Sequence, residues 1–272
     1  MSLSIITITY NNLSGLQRTI ASVRRQTFSD YEQIVIDGAS TDGTSDYLKT
    51  ANVRYVSEPD KGIYDAQNKG IALAKGDYCF FLNAGDTFCS PTVLERMFHD
   101  LPSPQPDILY GNELVTDANG KVVEVARGIP NPSFVDLYSS CMKHQATFIH
   151  CCLFEQYGDY DISLRICADF DWFFRVIAFH DEVSLLYRDI DISYFENTGL
   201  SYHAPDLCRT ERQNVLCRYM PKRMQRDYTL LGRYPYLPKM DGTSQWRACM
   251  ARAFLRCANW LLISKTMRIG GV

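Results

Sequence analysis

The sequence of 272 residues lacks the features that mark several classes of protein. Lys and Arg number 28 against 31 Asp and Glu, so the chain has no basic excess of the kind that binds nucleic acid, and no nucleic-acid partner is expected. No apolar run reaches the roughly 18 residues that a membrane-spanning helix needs. Neither an internal repeat nor a low-complexity tract is found. With 46% hydrophobic residues, the composition is that of an ordinary globular protein.

Two further absences bear on the compartment. The ten cysteines form no CxxC pair and are scattered through apolar stretches, which favours free, mostly buried thiols in a reducing cytoplasm. The first residues, MSLSIITITYNN, have no Lys or Arg before the apolar run and no small-residue cleavage site. We therefore expect a buried strand at the start rather than a secretion signal.

Strand-like apolar runs alternate with helical patterns in the first 100 residues. The order is strand 4–10, helix 13–26, strand 32–40, helix 41–51, strand 53–58, helix 65–76 and strand 77–86. We expect Gly76 to be the C-cap of the last of these helices. The βαβαβ rhythm predicts a parallel sheet covered by helices.

The second half of the chain is more mixed. A predicted helix over 91–101 and the helix-breaking loop 102–106 precede a β-like segment over 107–127, where Asn119-Gly120 predicts a hairpin turn. The expected organisation is a domain over 1–205, with halves 1–100 and 101–205. A helical, basic and aromatic extension over 206–272 is expected to follow it.

Acidic or amide-rich turns stand at the ends of three predicted strands, where open α/β sheets bind ligands: at Asp37, at 58–62 and at 83–86. Asp86 ends the run Asn83-Ala84-Gly85-Asp86 and is a candidate metal ligand, because hard divalent cations take oxygen ligands. The same four residues are also of types that favour a turn, so they could have a structural role only. Asp37 could cap the helix after it, but Ser40, Thr41 or Asp42 can do that equally well, which leaves Asp37 available for a ligand.

Two more carboxylates, Asp169 and Asp171, lie in an apolar helical stretch over 166–175. Burying a carboxylate is costly unless it is paired or has a function. Asp171 precedes Arg175 by four residues, which is the spacing of an ion pair on a helix. Asp169 has no such local explanation and is therefore the candidate functional residue.

In their order and spacing, four segments together resemble the family-2 glycosyltransferases with a GT-A fold. They are Ile8–Asn12, Ile36–Thr44, Asp60–Gly70 and Phe81–Asp86, and the likeness runs from Ser4 to about Ser201. Bacterial enzymes of cell-surface polysaccharide biosynthesis, of the colanic acid and capsule type, are the nearest kind. The resemblance implies an α/β fold: a Rossmann-like, nucleotide-binding mixed sheet flanked by helices, here with a helical C-terminal extension.

This resemblance implies an inverting glycosyltransferase of the hexosyltransferase type. It would move a sugar from a UDP- or GDP-sugar donor to a hydroxyl of a glycan or lipid-linked acceptor in surface polysaccharide biosynthesis. Asp169 would be the catalytic base. Asp86 would bind Mn²⁺ or Mg²⁺, in a turn where Asn83 and Gly85 stand in place of acids, with His203 or a water completing the metal's shell.

The remaining site residues are also implied by the resemblance. The nucleotide-sugar contacts would be Thr9, Tyr10, Asn11, Asp37, Ser40, Asp60, Gly62, Tyr64, Asp65, Asn68, Asn83, Ala84 and Gly85. The acceptor side would hold His144, Gln145, Asp171 and Trp172. A lone His in such a place is more often a structural hydrogen-bonder than a catalyst, which is our interpretation of His144.

Two other functions stay open on the sequence alone. A nucleotidyltransferase also needs carboxylates at strand ends, although residues 9–12 are not the glycine-rich phosphate loop such enzymes usually carry. A non-catalytic carbohydrate-binding relative would explain the altered metal motif, but not why both Asp86 and Asp169 are present.

The end of the chain, residues 245–270, alternates aromatic and apolar residues with Arg and Lys. Such a helix either lies on an anionic membrane, where a lipid-linked acceptor would be found, or packs on this domain or on a second copy of the chain. The free thiols and the absent secretion signal indicate the cytoplasm as the expected location. A tail on a membrane would add a peripheral position on the inner face of the plasma membrane, and a tail packed on a second copy would make a homo-oligomer.

Overall fold

One mixed sheet organises the part of the chain that this computed structural model describes, residues 2–197 and 199–232. The strands are β1 Leu3–Thr9, β2 Tyr31–Asp37, β3 Arg54–Ser57, β4 Tyr78–Phe81, β5 Thr87–Phe88, β6 Ile108–Thr116, β7 Val122–Ala126, β8 Thr147–His150 and β9 Leu185–Glu196. The helices are α1 Leu13–Arg24, α2 Thr44–Leu48, α3 Ile63–Leu73, α4 Val93–Phe98, α5 Phe134–Ser139, α6 Cys152–Tyr157, α7 Ala168–Ile177, α8 Leu200–His203, α9 Pro205–Tyr219 and α10 Lys222–Gly232. A short 3-10 helix covers His144–Ala146.

The strand order is β3-β2-β1-β4-β8-β6-β9-β5, and β7 pairs with β6. The strands from β1 to β4 pair in parallel, as the sequence predicts. Antiparallel pairs then join β4 to β8, β8 to β6 and β9 to β5, whereas β6 and β9 run parallel. The sheet is therefore mixed, with a parallel N-terminal half of the kind that binds ligands at its carboxyl edge.

The strand ends are held in place by a close-packed core. Helix α1 starts at the N-cap Asn12, whose side chain accepts a hydrogen bond from the Gly15 N–H, and it buries an apolar face against the sheet. Across the middle of the sheet Phe80 of β4 stacks on Phe148 of β8, with ring centroids 4.4 Å apart and both side chains fully buried. Such ring pairs add to the burial of apolar area and fix the strand positions.

The hairpin prediction is confirmed and the C-cap prediction is wrong. Strands β6 and β7 pair across the predicted turn, where Gly120 has a φ of +76°. Helix α3 ends at Leu73, because Ala74 is already extended, so Gly76 is not its cap. Gly76 instead allows a close approach to β1: a Cβ there would lie 2.7 Å from the Ser4 nitrogen.

Helix α9 belongs to a first unit that ends at Met220, whereas the sequence prediction started the extension at residue 206. Glu211 of α9 anchors this helix, since its carboxylate accepts hydrogen bonds from the backbone N–H groups of Arg165, Ile166 and Cys167. Of the second unit the structure describes α10 up to Gly232. The predicted membrane or oligomer segment over 245–270 lies outside the described residues.

Two sequence expectations can be compared directly with the described residues. No helix among them is both long and apolar enough to cross a membrane. The described cysteines are all free thiols, but the expectation that most of them are buried is wrong, since only Cys79 and Cys167 are buried and Cys152 and Cys217 are exposed.

Candidate functional site

A cavity of about 430 Å³, here called cavity A, opens at the carboxyl ends of β1 and β4. Of the residues that the sequence predicts for nucleotide-sugar or metal binding, Thr9, Tyr10, Asp60, Gly62, Asn83, Ala84, Gly85 and Asp86 line it. Thr9 contributes a buried hydroxyl that has no hydrogen-bond partner among the described residues. Cavity A is therefore polar at the strand ends and offers unsatisfied groups to a ligand.

Asp37 does not line cavity A, although it is the last residue of β2 and pairs in register with Thr9. Its buried carboxylate accepts hydrogen bonds from the Ser40 N–H and hydroxyl and from the Ser57 hydroxyl, the last at 2.6 Å. Ser40 in turn accepts from the Asn11 N–H at 2.7 Å. Asp37 is thus not left free as the sequence argument assumed. With Asn11 and Ser40 it forms a network that shapes the loop beside the cavity.

Only some of the predicted site residues between Asp60 and Asn68 line cavity A. Asp60 and Gly62 face cavity A, and the Asp60 carboxylate accepts the Gly62 N–H at 2.9 Å. Asp65 instead accepts the Lys61 N–H, and Asn68 exchanges two hydrogen bonds with the Tyr160 backbone. Asp65 and Asn68 therefore stabilise the loops around α3, and neither lines cavity A.

The turn from Asn83 to Asp86 joins β4 to β5. Gly85 has a φ of +113°, which residues with a side chain rarely adopt, and its N–H donates to the Thr19 hydroxyl. Asp86 is buried, and its Oδ2 has no hydrogen-bond partner among the described residues. Burial, followed by the negative charge of Glu113, raises the pKa of Asp86 well above its ordinary value, against the N–H groups of Glu196 and Asn83.

Next to cavity A lies cavity B, of about 270 Å³, which contains Asp169. The two cavities share the residues Ile63, Asn83, Phe195 and Gly199. Asp169 stands in the first turn of α7, where the helix dipole favours a negative charge. Asp86 and Asp169, which are far apart in the sequence, are therefore brought to adjoining cavities.

Three nitrogen or oxygen donors surround the carboxylate of Asp169, and the Cys141 thiol lies 4.0 Å from Oδ2. The Phe170 N–H lies 2.8 Å from Oδ1, the Tyr64 hydroxyl 2.9 Å from Oδ1, and His144 Nδ1 3.1 Å from Oδ2. The Tyr64 hydroxyl also lies 2.5 Å from the Ile166 carbonyl oxygen, so its single proton serves one acceptor at a time. Burial raises the pKa of Asp169, but the hydrogen bonds and charge of His144, with Phe170 and Tyr64, outweigh it and lower that pKa.

His144 connects the two cavities. Its Nε2 lies 3.4 Å from the Asn83 side-chain nitrogen, while its Nδ1 faces Asp169. The two contacts are satisfied together when Nδ1 carries the proton and Nε2 accepts from Asn83. His144 and Gln145 both line cavity B, as expected for the acceptor side.

Asp171 and Trp172, also predicted for the acceptor side, do not line cavity B. The buried Asp171 carboxylate pairs with Arg175 at 3.3 Å, which confirms the i,i+4 ion pair, and accepts from the Tyr219 hydroxyl. Trp172 is fully buried, and its indole N–H donates to the Gly158 carbonyl. Asp171 lies two positions after Asp169 and therefore projects from the opposite side of α7. Trp172, three positions after Asp169, is buried in the core, where its ring lies 4.8 Å from that of Phe154.

Sequence reasoning missed four charged residues at these cavities, one of which, Lys143, lines cavity B beside His144. Glu196 at the end of β9 lines cavity A and pairs with Arg18 at 3.2 Å. Arg212 of α9 lines cavity B and lies over the Phe170 ring, 3.9 Å from its centroid. Glu113 of β6 lines cavity B as a buried carboxylate. An acidic residue inside a strongly apolar strand was the available signal for Glu113.

The oxygen atoms of the Asn83–Asp86 turn fit a hard divalent cation. Asn83 Oδ1 and Asp86 Oδ2 are both buried and both lack a hydrogen-bond partner among the described residues. Mg²⁺ and similar ions are commonly held by one or two carboxylates, with substrate phosphates and waters as the other ligands. His203 is exposed at the end of α8 and does not line cavity A. No group of three or more His, Cys, Asp or Glu in the described ranges could hold a metal by itself.

Comparison with known proteins places the chain in a family. The family model described as glycosyl transferase family 2 matches residues 4–179. An uncharacterized glycosyltransferase of Mycobacterium tuberculosis is 35% identical over 211 residues, covering 74% of this chain and 78% of that protein. A PGL/p-HBAD biosynthesis glycosyltransferase of Mycobacterium bovis is 31% identical over 208 residues, covering 73% and 78% of the two chains.

Solved structures share the fold. S. aureus TarS 1–349 in complex with UDP has a TM-score of 0.59 at 16% identity, over 89% of this chain and 74% of that one. The mannosyltransferase PcManGT from Pyrobaculum calidifontis, in complex with GDP-Man and Mn²⁺, has a TM-score of 0.59 at 16% identity, over 98% and 79%. The family model, the curated relatives and the fold agree with the sequence resemblance, and the chain is a family-2 glycosyltransferase with a GT-A fold.

Proposed function

We propose that this glycosyltransferase moves a sugar, with inversion, from a UDP- or GDP-sugar to a hydroxyl of a glycan or lipid-linked acceptor in surface polysaccharide biosynthesis. The observation that carries the proposal is the position of Asp169. Its carboxylate is held by three donors in cavity B, which shares a wall with the cavity that contains the Asp86 turn. A base and a diphosphate-binding turn on neighbouring walls are the two parts that such a transfer needs.

Cavity A would take the nucleotide end of the donor. Its buried Thr9 hydroxyl lacks a partner and can bind a polar edge of the base, while the Asp37 network keeps the adjoining loop in shape. TarS with UDP and PcManGT with GDP-Man are GT-A proteins that hold such nucleotides, which supports the same use here. Cavity A would therefore bind the donor and cavity B the acceptor.

The residues of cavity B would carry out the proton transfer. An acceptor hydroxyl oxygen attacks the anomeric carbon, the bond from that carbon to the diphosphate breaks, and the hydroxyl proton passes to Asp169. A lowered pKa keeps Asp169 ionised and ready to accept this proton, and His144 and Tyr64 hold the carboxylate in one orientation. One displacement with one base inverts the configuration and needs no covalent intermediate.

The metal would be held by Asp86 with the Asn83 side-chain oxygen, since both atoms are buried and unpartnered. When bound, Mn²⁺ or Mg²⁺ supplies positive charge that offsets the charge of the diphosphate. The Mn²⁺ in the PcManGT complex supports this choice of ion. The remaining ligands would be waters and donor phosphates, because His203 is exposed and does not line cavity A.

Donor binding is tested by thermal unfolding with UDP, GDP, CDP and dTDP, each with and without Mn²⁺. We expect one or two of these diphosphates to raise the melting temperature, and more so with Mn²⁺. Absence of any shift with all four would contradict the assignment of cavity A.

The base is tested by Asp169→Asn, with Asp171→Asn as the matched control on the same helix. We expect Asp169→Asn to lower transfer by about 10²–10⁴-fold with unchanged diphosphate binding. Asp171→Asn removes a buried ion pair and should lower stability, while the transfer rate of the folded protein is retained. Equal loss of transfer in both variants would remove Asp169 from the role of base.

A further inference from the structure

Glu113 on β6 carries a buried carboxylate that the fold itself does not satisfy. The residue is 2% exposed, and its Oε1 has no hydrogen-bond partner among the described residues. The preceding residue is the opposite case, because the Asn112 side chain contacts Asp189, Asp191 and the Tyr187 hydroxyl. A buried carboxylate without partners costs stability, so its presence calls for a ligand.

The backbone directs this side chain into cavity B. The register between β6 and β9 shifts on both sides of Asn112, and such irregularities re-aim side chains near active sites. Glu113 therefore lines the same cavity as Asp169 and His144. Burial raises the pKa of Glu113, with Asp169 adding to the effect and Lys143 and His144 opposing it.

We propose that Glu113 is a binding site for a second hydroxyl of the acceptor sugar, resting on the function proposed for cavity B. A carboxylate is a strong acceptor for an O–H donor, and a bound hydroxyl supplies the hydrogen bond that Oε1 lacks. One hydroxyl of the acceptor faces the base Asp169 while another donates to Glu113. The acceptor class is thus a sugar ring with at least two free hydroxyls, and not a phenol or a simple alcohol.

A purely structural role for Glu113 makes the opposite prediction about stability. Glu211 shows what a structural buried glutamate looks like, because three backbone N–H groups donate to its carboxylate. We expect Glu113→Met to raise the melting temperature of the free protein by about 2–4 °C, and Glu211→Met to lower it by at least as much. The gain for Glu113→Met should shrink towards pH 4, because below the ordinary value of 4.5 the carboxyl is protonated in the folded and unfolded chain alike. A fall in stability for both variants would overturn the proposal.

Ligand binding is tested with the methyl glycosides of glucose, galactose, mannose and rhamnose, and with phenol and cyclohexanol as controls. Saturation-transfer NMR on the full chain, with UDP or GDP present, measures their binding. We expect at least one glycoside to bind and Glu113→Gln to weaken it by tenfold or more, whereas phenol and cyclohexanol do not distinguish the two proteins.

The outcomes separate this proposal from the proposed function. If no diphosphate shifts the melting temperature of either protein, the donor assignment of cavity A fails. If the diphosphates bind both proteins equally while no glycoside distinguishes Glu113→Gln from the wild type, only the proposal for Glu113 is overturned.

Discussion

The hydrogen bond from His144 to Asp169 sets both the stability of the site and the pH range of the proposed reaction. The two side chains are only 12% and 18% exposed, and Nδ1 lies 3.1 Å from Oδ2. His144→Leu removes one of the three donors to this carboxylate and leaves an ionised group with less compensation for its burial. A hydrogen bond to a charged group contributes about 1.5–3 kcal/mol, so we expect the melting temperature near pH 7 to fall by about 3–12 °C.

The pH dependence of this loss follows from the lowered pKa of Asp169. A carboxyl whose folded pKa is depressed contributes stability above its ordinary value of 3.8, and that contribution disappears as the pH falls through the folded pKa. The difference in melting temperature between wild type and His144→Leu should therefore be large near pH 7 and should shrink as the pH falls below 3.8 and through the folded pKa of Asp169. The acid limb of the pH profile of transfer should also move to higher pH in the variant. Without His144, fewer groups oppose the effect of burial, which raises the pKa of Asp169.

Thermal unfolding across this pH range and the pH profile of transfer are the two measurements. Tyr64→Phe is the matched control, since it removes a different side-chain donor to the same carboxylate and should move the acid limb in the same direction. A difference in melting temperature that is the same at both ends of the pH range would refute the reasoning. So would an acid limb that stays in place in both variants.

Two further substitutions test the proposed metal turn and the contact between Gly76 and the start of β1. Asp86→Asn should abolish the additional rise in melting temperature that Mn²⁺ gives in the presence of a nucleoside diphosphate. The same variant should also be more stable than the wild type without ligand, increasingly so as the pH rises above 3.8, because burial and Glu113 raise the pKa of Asp86. Retention of the Mn²⁺ effect in that variant would move the metal elsewhere. Gly76→Ala places a Cβ 2.7 Å from the Ser4 nitrogen of β1, so urea unfolding should give a loss of about 1–3 kcal/mol, with Lys75→Ala as the near-neutral control. A loss below that of the control would show that β1 can shift aside.

Local pattern was sufficient for the parallel half of the sheet. Strands β1 to β4 and helices α1 and α3 follow from apolar spacing that acts over a few residues, and the ion pair from Asp171 to Arg175 follows from one helical turn. The C-cap at Gly76 was wrong because a glycine that permits close packing looks the same in the sequence as one that ends a helix.

The partners of a side chain could not be predicted in the same way, because they come from distant segments. Asp37 was expected to be free, yet Ser57, twenty residues later on β3, donates to it. Glu113 lies in a strand whose nine residues are all buried, and the segments that cover its polar residues are not specified by the local sequence. The partners of Asp169 and Asp171 likewise come from distant segments, Tyr64 of α3 for the first and Tyr219 of α9 for the second.

The contact between Asn83 and His144 suggests a structural reason for an asparagine, instead of an acid, at position 83. An amide at position 83 can donate to His144 Nε2, 3.4 Å away, which leaves Nδ1 as the protonated nitrogen that faces Asp169. A carboxylate at the same position has no proton to donate, so the ring would need protons on both nitrogens to satisfy both neighbours. Compared with an acid at this position, the asparagine therefore removes one negative charge from the proposed diphosphate turn and orients the histidine. In this way the turn that lines cavity A also helps to position the carboxylate of cavity B.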